Sequence, residues 1–225
     1  MNIVRVLSEA TPMLFEGMKM TIIISVVSLL IAFALGLITL FFRISRIPPL
    51  VAVAKVYLWI IRGTPLLVQT FFIYFGLPQA MAAIGADFRL DAFAAGTIAL
   101  SLNAGAYMSE IFRSGILAVG RGQEEAARSL GLSKSRTMAT VILPQALRIC
   151  APSLVNQFII TLKDTSIISV IGFADIVYQA KIYIGRTMES FATYTVVGAF
   201  YLVAISVLTS VSSHIERRMN SAHKS

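Results

Sequence analysis

In a chain that is 57% hydrophobic and 13% charged, the residues able to do chemistry stand out against their neighbours. Arg62, Asn103, Tyr107, Glu110, Asn156, Lys163, Asp164, Thr165 and Ser166 all lie in or beside long apolar runs. Polar groups in such a setting line a solute pathway or gate, or else they bond neighbouring helices, and each of these residues is open to both uses. Glu110 and Arg113 stand at i, i+3, the spacing of an ion pair on one helix face, and such a pair needs no transport role. The same pairing removes any reason to read Glu110 as a selector of cationic solutes.

Hydrolytic and metal chemistry are excluded from the apolar runs. The two histidines, His214 and His223, fall in the tail, so no Ser–His pair or His-rich zinc site can form within the runs. Gly115 to Gly122 comes nearest to a phosphate-binding loop, but it lacks the Lys and the Ser or Thr that such a loop requires. No catalytic residue, metal ligand or cofactor is expected. Energy for any transport must come from a partner or from an ion gradient. The one cysteine, Cys150, sits in an apolar helical run and reads as a buried structural thiol.

The elements that hold these residues must be membrane helices. A chain of 225 residues with this composition is too apolar for an ordinary soluble domain, and a single all-α integral membrane domain over residues 1–225 is the natural reading. Spans are expected near residues 20–42, 51–77, 92–112, 145–162 and 191–211, each judged against a hydrocarbon core of about 30 Å. Met1 to Lys19 is mixed, carries Glu9 and Glu16, and does not read as a cleavable signal. The second span must borrow residues from before Pro65, since Leu66 to Leu77 is too short alone, and Gly63 and Pro65 should bend it. Arg62 then either lines the pathway or anchors the bend.

Pro78 to Asp91 reads as a short connection, and Pro144 as a helix start. Pro152 falls inside the fourth span, Lys163 to Ser166 follow it, and Ala174 to Arg186 reads as a short exposed helix. The formal charge of +8 is spread through loops between apolar runs, which argues for topology signals and against nucleic acid. Arg43, Arg46, Arg113, Arg121, Arg128, Lys134, Arg136, Arg148, Arg217 and Arg218 all fall on one side of a five-span arrangement. The positive-inside rule makes that side cytoplasmic, with the amino terminus outside and the carboxyl terminus in the cytoplasm.

The only long charged stretch runs from Arg121 to Pro144. Its grammar is two short helices around a glycine: Glu124 and Glu125 favour a helix start, Gly131 a left-handed stop, and Ser133 a second cap. Ala126, Ala127 and Leu130 share one side of the first helix, and Met138, Val141 and Ile142 one face of the second. Helices so short are marginal in water and must dock on something.

The pattern Glu125-Ala126-Ala127, Gly131, then Ile142-Leu143-Pro144 resembles the EAA loop of membrane subunits of ABC importers. The stretches Arg62 to Gln69 and Leu162 to Ser166 resemble the histidine, glutamine, arginine and opine permease branch of that superfamily. The motifs come in the family's order, and the resemblance covers about Thr11 to Arg218.

The resemblance implies a type I ABC importer permease fold in a bacterial cytoplasmic (inner) membrane. It implies that Glu124, Glu125, Ala126, Ala127, Leu130, Gly131, Leu132 and Ser133 form an ATPase-docking loop, with Glu125 a contact and Gly131 the turn that aims the helix. The partners implied are two ATP-binding subunits, a second permease subunit (identical or homologous), an extracytoplasmic solute-binding protein, an amino-acid substrate and membrane lipid. The other reading of the residues is a gradient-driven carrier or channel subunit. Against it stands the absence of duplicated halves.

Overall fold

The structure is a computed structural model that describes residues 3–221, apart from the side chains of Val4, Val211, Ser212 and residues 214–221. His223, and the side chains of His214, Arg217 and Arg218, therefore lie outside the described residues. Every regular element among the described residues is helical.

Helix α1, Ile3–Ile44, is 42 residues long, about 63 Å at the usual rise, so it starts well before residue 20 and outruns a bilayer core. Its first turns bury Val6, Ala10, Leu14 and Met18 against later helices, while Ile24, Ala32 and Leu40 meet α5 (Ala92–Ala118) and its neighbours. Large apolar side chains elsewhere stay uncovered, including Leu30 and Trp59, as expected of a surface that lipid covers.

After α1 come α2 (Pro48–Gly63) and α3 (Leu66–Phe71), separated where Thr64 and Pro65 are extended. The expected bend is thus a break. The chain then remains helical through a π-helical turn, Phe72–Gly76, into α4 (Leu77–Ala83). The connection expected from Pro78 begins only after Ala83. Leu66–Ala83, at 18 residues, is long and apolar enough to cross by itself, so the second span has no need of residues before Pro65.

Proline chemistry explains this correction and a second one. Leu77 N–H donates to Phe72 O and Leu143 N–H to Met138 O, both five residues back, and each leucine precedes a proline. A proline ring collides with the carbonyl four residues before it and offers no N–H, and a widened π turn relieves that clash without ending the helix. Pro144 therefore starts nothing. α7 (Lys134–Thr137), the π turn Met138–Ile142 and α8 (Leu143–Ile168) form one rod that includes Lys163 to Ser166 in its last turns.

A 3-10 turn, Ser169–Ile171, leads to α9 (Ile176–Thr187) and α10 (Ser190–Ser221). Far from being exposed throughout, α9 buries Ile176, Ala180 and Tyr183, a stripe at i, i+4, i+7, against α1 and α10. By length and composition, four helical runs among the described residues can cross a membrane: Arg5–Ile44, Leu66–Ala83, Lys134–Ile171 and Ser190–Ser210. α5 is not among them, but about half of it is buried, and it is pressed between α1 and α8.

At Gly115 the α5 and α8 backbones nearly touch. A Cβ there would collide with Cys150 Sγ and stand 2.8 Å from Ala146 O. Gly115→Ala is expected to cost about 1–3 kcal/mol by overpacking, read as a lower melting temperature of the solubilised chain. Cys150→Ala in that background should restore only part, because the Ala146 carbonyl stays in place.

Candidate functional site

Two regions hold the candidate residues. The first is the turn after α6 (Arg121–Ser129), where Gly131 adopts a left-handed conformation with φ of 83°. Gly131 N–H donates to Arg128 O at 3.0 Å and Leu132 N–H to Ala127 O at 3.2 Å, the paired bonds of a Schellman stop. Ser133 Oγ accepts from Arg136 N–H at 3.3 Å and caps the next helix. Both local readings of this loop hold.

The two apolar strips have different fates. Met138, Val141 and Ile142 pack on Ile116, Val119 and Ala146 of their own chain. In α6 only Ala127 is buried. Ala126 is exposed, as are Glu124 and Glu125, and Leu130 is 83% exposed. Gln145 Nε2 reaches Gln123 Oε1 at 3.3 Å, tying α6 to the α8 rod.

The second region is one face of α5, where Asn103, Tyr107 and Glu110 follow at helical spacing. Glu110 gathers three arginines from three helices. Arg62 Nη1 donates to Oε1 and Arg113 Nε to Oε2, both at 2.9 Å. Arg43 Nη1 also stands 2.9 Å from Oε1, at angles that make an ion pair and no hydrogen bond. The Arg62 guanidinium lies 5.9 Å from the centre of the Tyr107 ring.

Alongside these residues, a cavity of about 420 Å³ opens between α5 and α8, with Tyr107, Glu110, Ser114, Ser153 and Gln157 as its polar lining. Asn156, one residue from Gln157, is exposed and does not line it. Lys163, Asp164, Thr165 and Ser166 form a separate group at the other end of α8. Thr165 is fully buried with its hydroxyl on Leu162 O, and Ser166 donates to Lys163 O.

Sequence reasoning missed Arg43 as a partner of Glu110 and Gln69 as a partner of Asn103. Gln69 carried a usable signal, being an amide four residues past a helix-breaking proline. Arg43 had none beyond its place at the end of a span. Asp175 caps α9, its Oδ1 accepting from Tyr178 N–H at 2.8 Å, and its complete burial is a tertiary fact.

Residues 32–221 match the family described as binding-protein-dependent transport system inner membrane component. Over 210 residues the chain is 41% identical to the glutamine transport system permease protein GlnP of Escherichia coli (strain K12), covering 93% of this chain and 94% of that one. It is 37% identical to the arginine transport system permease protein ArtQ of Bacillus subtilis (strain 168), with the same coverage. The crystal structure of an amino acid ABC transporter with histidines superposes with a TM-score of 0.90 at 39% identity, over 97% of this chain and 99% of that one. A chain of the MetNI methionine ABC transporter, 17% identical with a TM-score of 0.75, shares the fold. A match that takes in the α5 face, the Gly131 turn and the α8 rod settles the family: this chain belongs to the inner membrane components of binding-protein-dependent transport systems.

Proposed function

We propose that this permease subunit of an ABC importer moves a polar amino acid or a related small solute across the cytoplasmic membrane. The relatives named for glutamine and arginine transport support that substrate class. In this reading the chain crosses five times, with α5 as the central crossing, the amino terminus outside and the carboxyl terminus in the cytoplasm. A second permease subunit completes the pathway, a solute-binding protein delivers from outside, and two ATP-binding subunits supply the energy. Closure of the ATPase pair pushes on α6, and the α8 rod carries the motion into the spans by alternating access.

The observation that carries the ATPase assignment is Leu130. It is 83% exposed beside exposed Ala126, on a helix whose stop is fixed by Gly131, while the neighbouring apolar strip is already covered. An apolar residue held outward on a rigid short helix suits a partner's groove. Copurification from native membranes tests it. A P-loop ATPase should come with the native chain, and recovery should fall about tenfold with Glu125→Lys or Leu130→Ser, the loss of one good contact. A Gly131→Val chain that inserts normally and keeps full transport would remove the aiming role, since Val resists positive φ. A well-inserted native chain that repeatedly brings no ATPase would overturn the motor-driven reading.

A further inference from the structure

Pro65 leaves the break between α2 and α3 with a defect that one side chain repairs. In an unbroken helix Ile61 O would accept from the N–H of residue 65, and proline has none. Gln69 Nε2 takes that place, 2.8 Å from Ile61 O, and it also lies 3.0 Å from both Thr64 O and Thr64 Oγ1. Three oxygens around one end of the amide fix its orientation, since a flipped amide would set oxygen against oxygen. The other end, Oε1, accepts from Asn103 Nδ2 on α5 at 3.2 Å. Gln69 is only 8% exposed, so this network is largely shielded from water.

Two further contacts fasten the same segment to the same face of α5. Tyr57 OH donates to Leu102 O at 2.6 Å, and Arg62 reaches Glu110. Tyr57 and Arg62 grip α5 from before the break and Gln69 from after it, and of these three Gln69 bonds both to the break and to α5.

We propose that Gln69 is a positioning residue of the transport step: it holds the interruption at Pro65 against Asn103, so that the α2–α3 segment and α5 move as one body. The inference rests on the ATP-driven reading above. Without the amide, Ile61 O and Asn103 Nδ2 lose their partners, the break gains freedom, and motion delivered through the spans no longer carries the α5 face with it. ATP is then hydrolysed with less solute moved.

The test uses the complete transporter, reconstituted in vesicles with its ATPase and binding protein and offered a labelled mixture of amino acids. The readout is solute taken up per ATP hydrolysed, which a purely structural loss of assembled complex leaves unchanged. Gln69→Leu is expected to lower the ratio about tenfold, the upper range for one lost hydrogen bond. Gln69→Asn alone should lower it too. Gln69→Asn with Asn103→Gln moves one methylene across the contact and should recover about half of the native ratio, by restoring the cross-helix bond.

A native ratio in Gln69→Leu, or a double variant no better than its singles, overturns the inference alone. If Gln69→Leu does not assemble, Gln69→Asn and the double variant decide by the same ratio. A native complex that takes up nothing with ATP overturns the functional reading and this inference together.

Discussion

Glu110→Gln is expected to lower uptake at least tenfold and to destabilise the solubilised chain by about 2 kcal/mol. The reason lies in the charge count around one carboxylate. Arg43, Arg62 and Arg113 converge on it, so the native cluster is already two charges positive, and removing Glu110 leaves three cations with no counter-ion at the meeting of α1, α2 and α5. Arg62 and Arg113 are 46% and 42% exposed and can turn to water or lipid headgroups at little cost. Arg43, at 23%, cannot, and its buried Nη1 would keep at most a neutral amide oxygen in place of its counter-ion. Most of the penalty therefore belongs to Arg43.

That assignment makes a second measurement decisive. Arg43→Gln added to Glu110→Gln should recover part of the lost melting temperature, because it removes the stranded charge. Arg113→Gln added instead should recover little. Equal recovery from both would mean that the three arginines share the cost, and no recovery from either would mean that Glu110 acts through the cavity it lines and not through its partners.

Whether a feature could be read from the sequence followed the distance over which it is determined. The Gly131 stop and the Ser133 cap were legible because each depends on residues within one turn of it. The Glu110–Arg113 pair was legible for the same reason. Pro78 and Pro144 misled because a proline has two outcomes in a helix, and which one it takes depends on whether the turn before it can widen. The stripe of Ile176, Ala180 and Tyr183 was present in the sequence but hidden among Tyr178, Gln179 and Lys181. The Arg43 and Arg62 partners of Glu110 lie dozens of positions away, and no spacing announces them.

Asp175 shows the same limit with a measurable consequence. It caps α9 and is completely buried, and that burial pushes its carboxyl up to about 7 from 3.8, against the lowering pull of Tyr178 and Val177 N–H groups and of Lys181. Lys181 on α9 spends a hydrogen bond on Ser169 Oγ at 3.1 Å, and Tyr201 of α10 lies near enough to feel the Asp175 charge, with the hydroxyls of Thr21 on α1 and Thr165 on α8 beside it. Asp175 Oδ2 has no hydrogen-bond partner.

A carboxyl whose folded value lies above its unfolded value holds a proton in the folded chain that the unfolded chain has released. Stability therefore falls as pH rises from about 4 to about 7 and is level above that, with a cost of up to about 4 kcal/mol on the alkaline side. Asn keeps the accepting oxygen for Tyr178 N–H and carries no charge, and it caps a helix as well as Asp does. Asp175→Asn should thus melt slightly above the native chain at pH 5, where part of the cost is already present, and several degrees further above it at pH 8, with this part of the native pH dependence gone. A native chain whose melting temperature holds level between those pH values, or an Asn variant that is weaker at both, would show that the carboxylate stays charged and held in place by Lys181 and the N–H groups of α9.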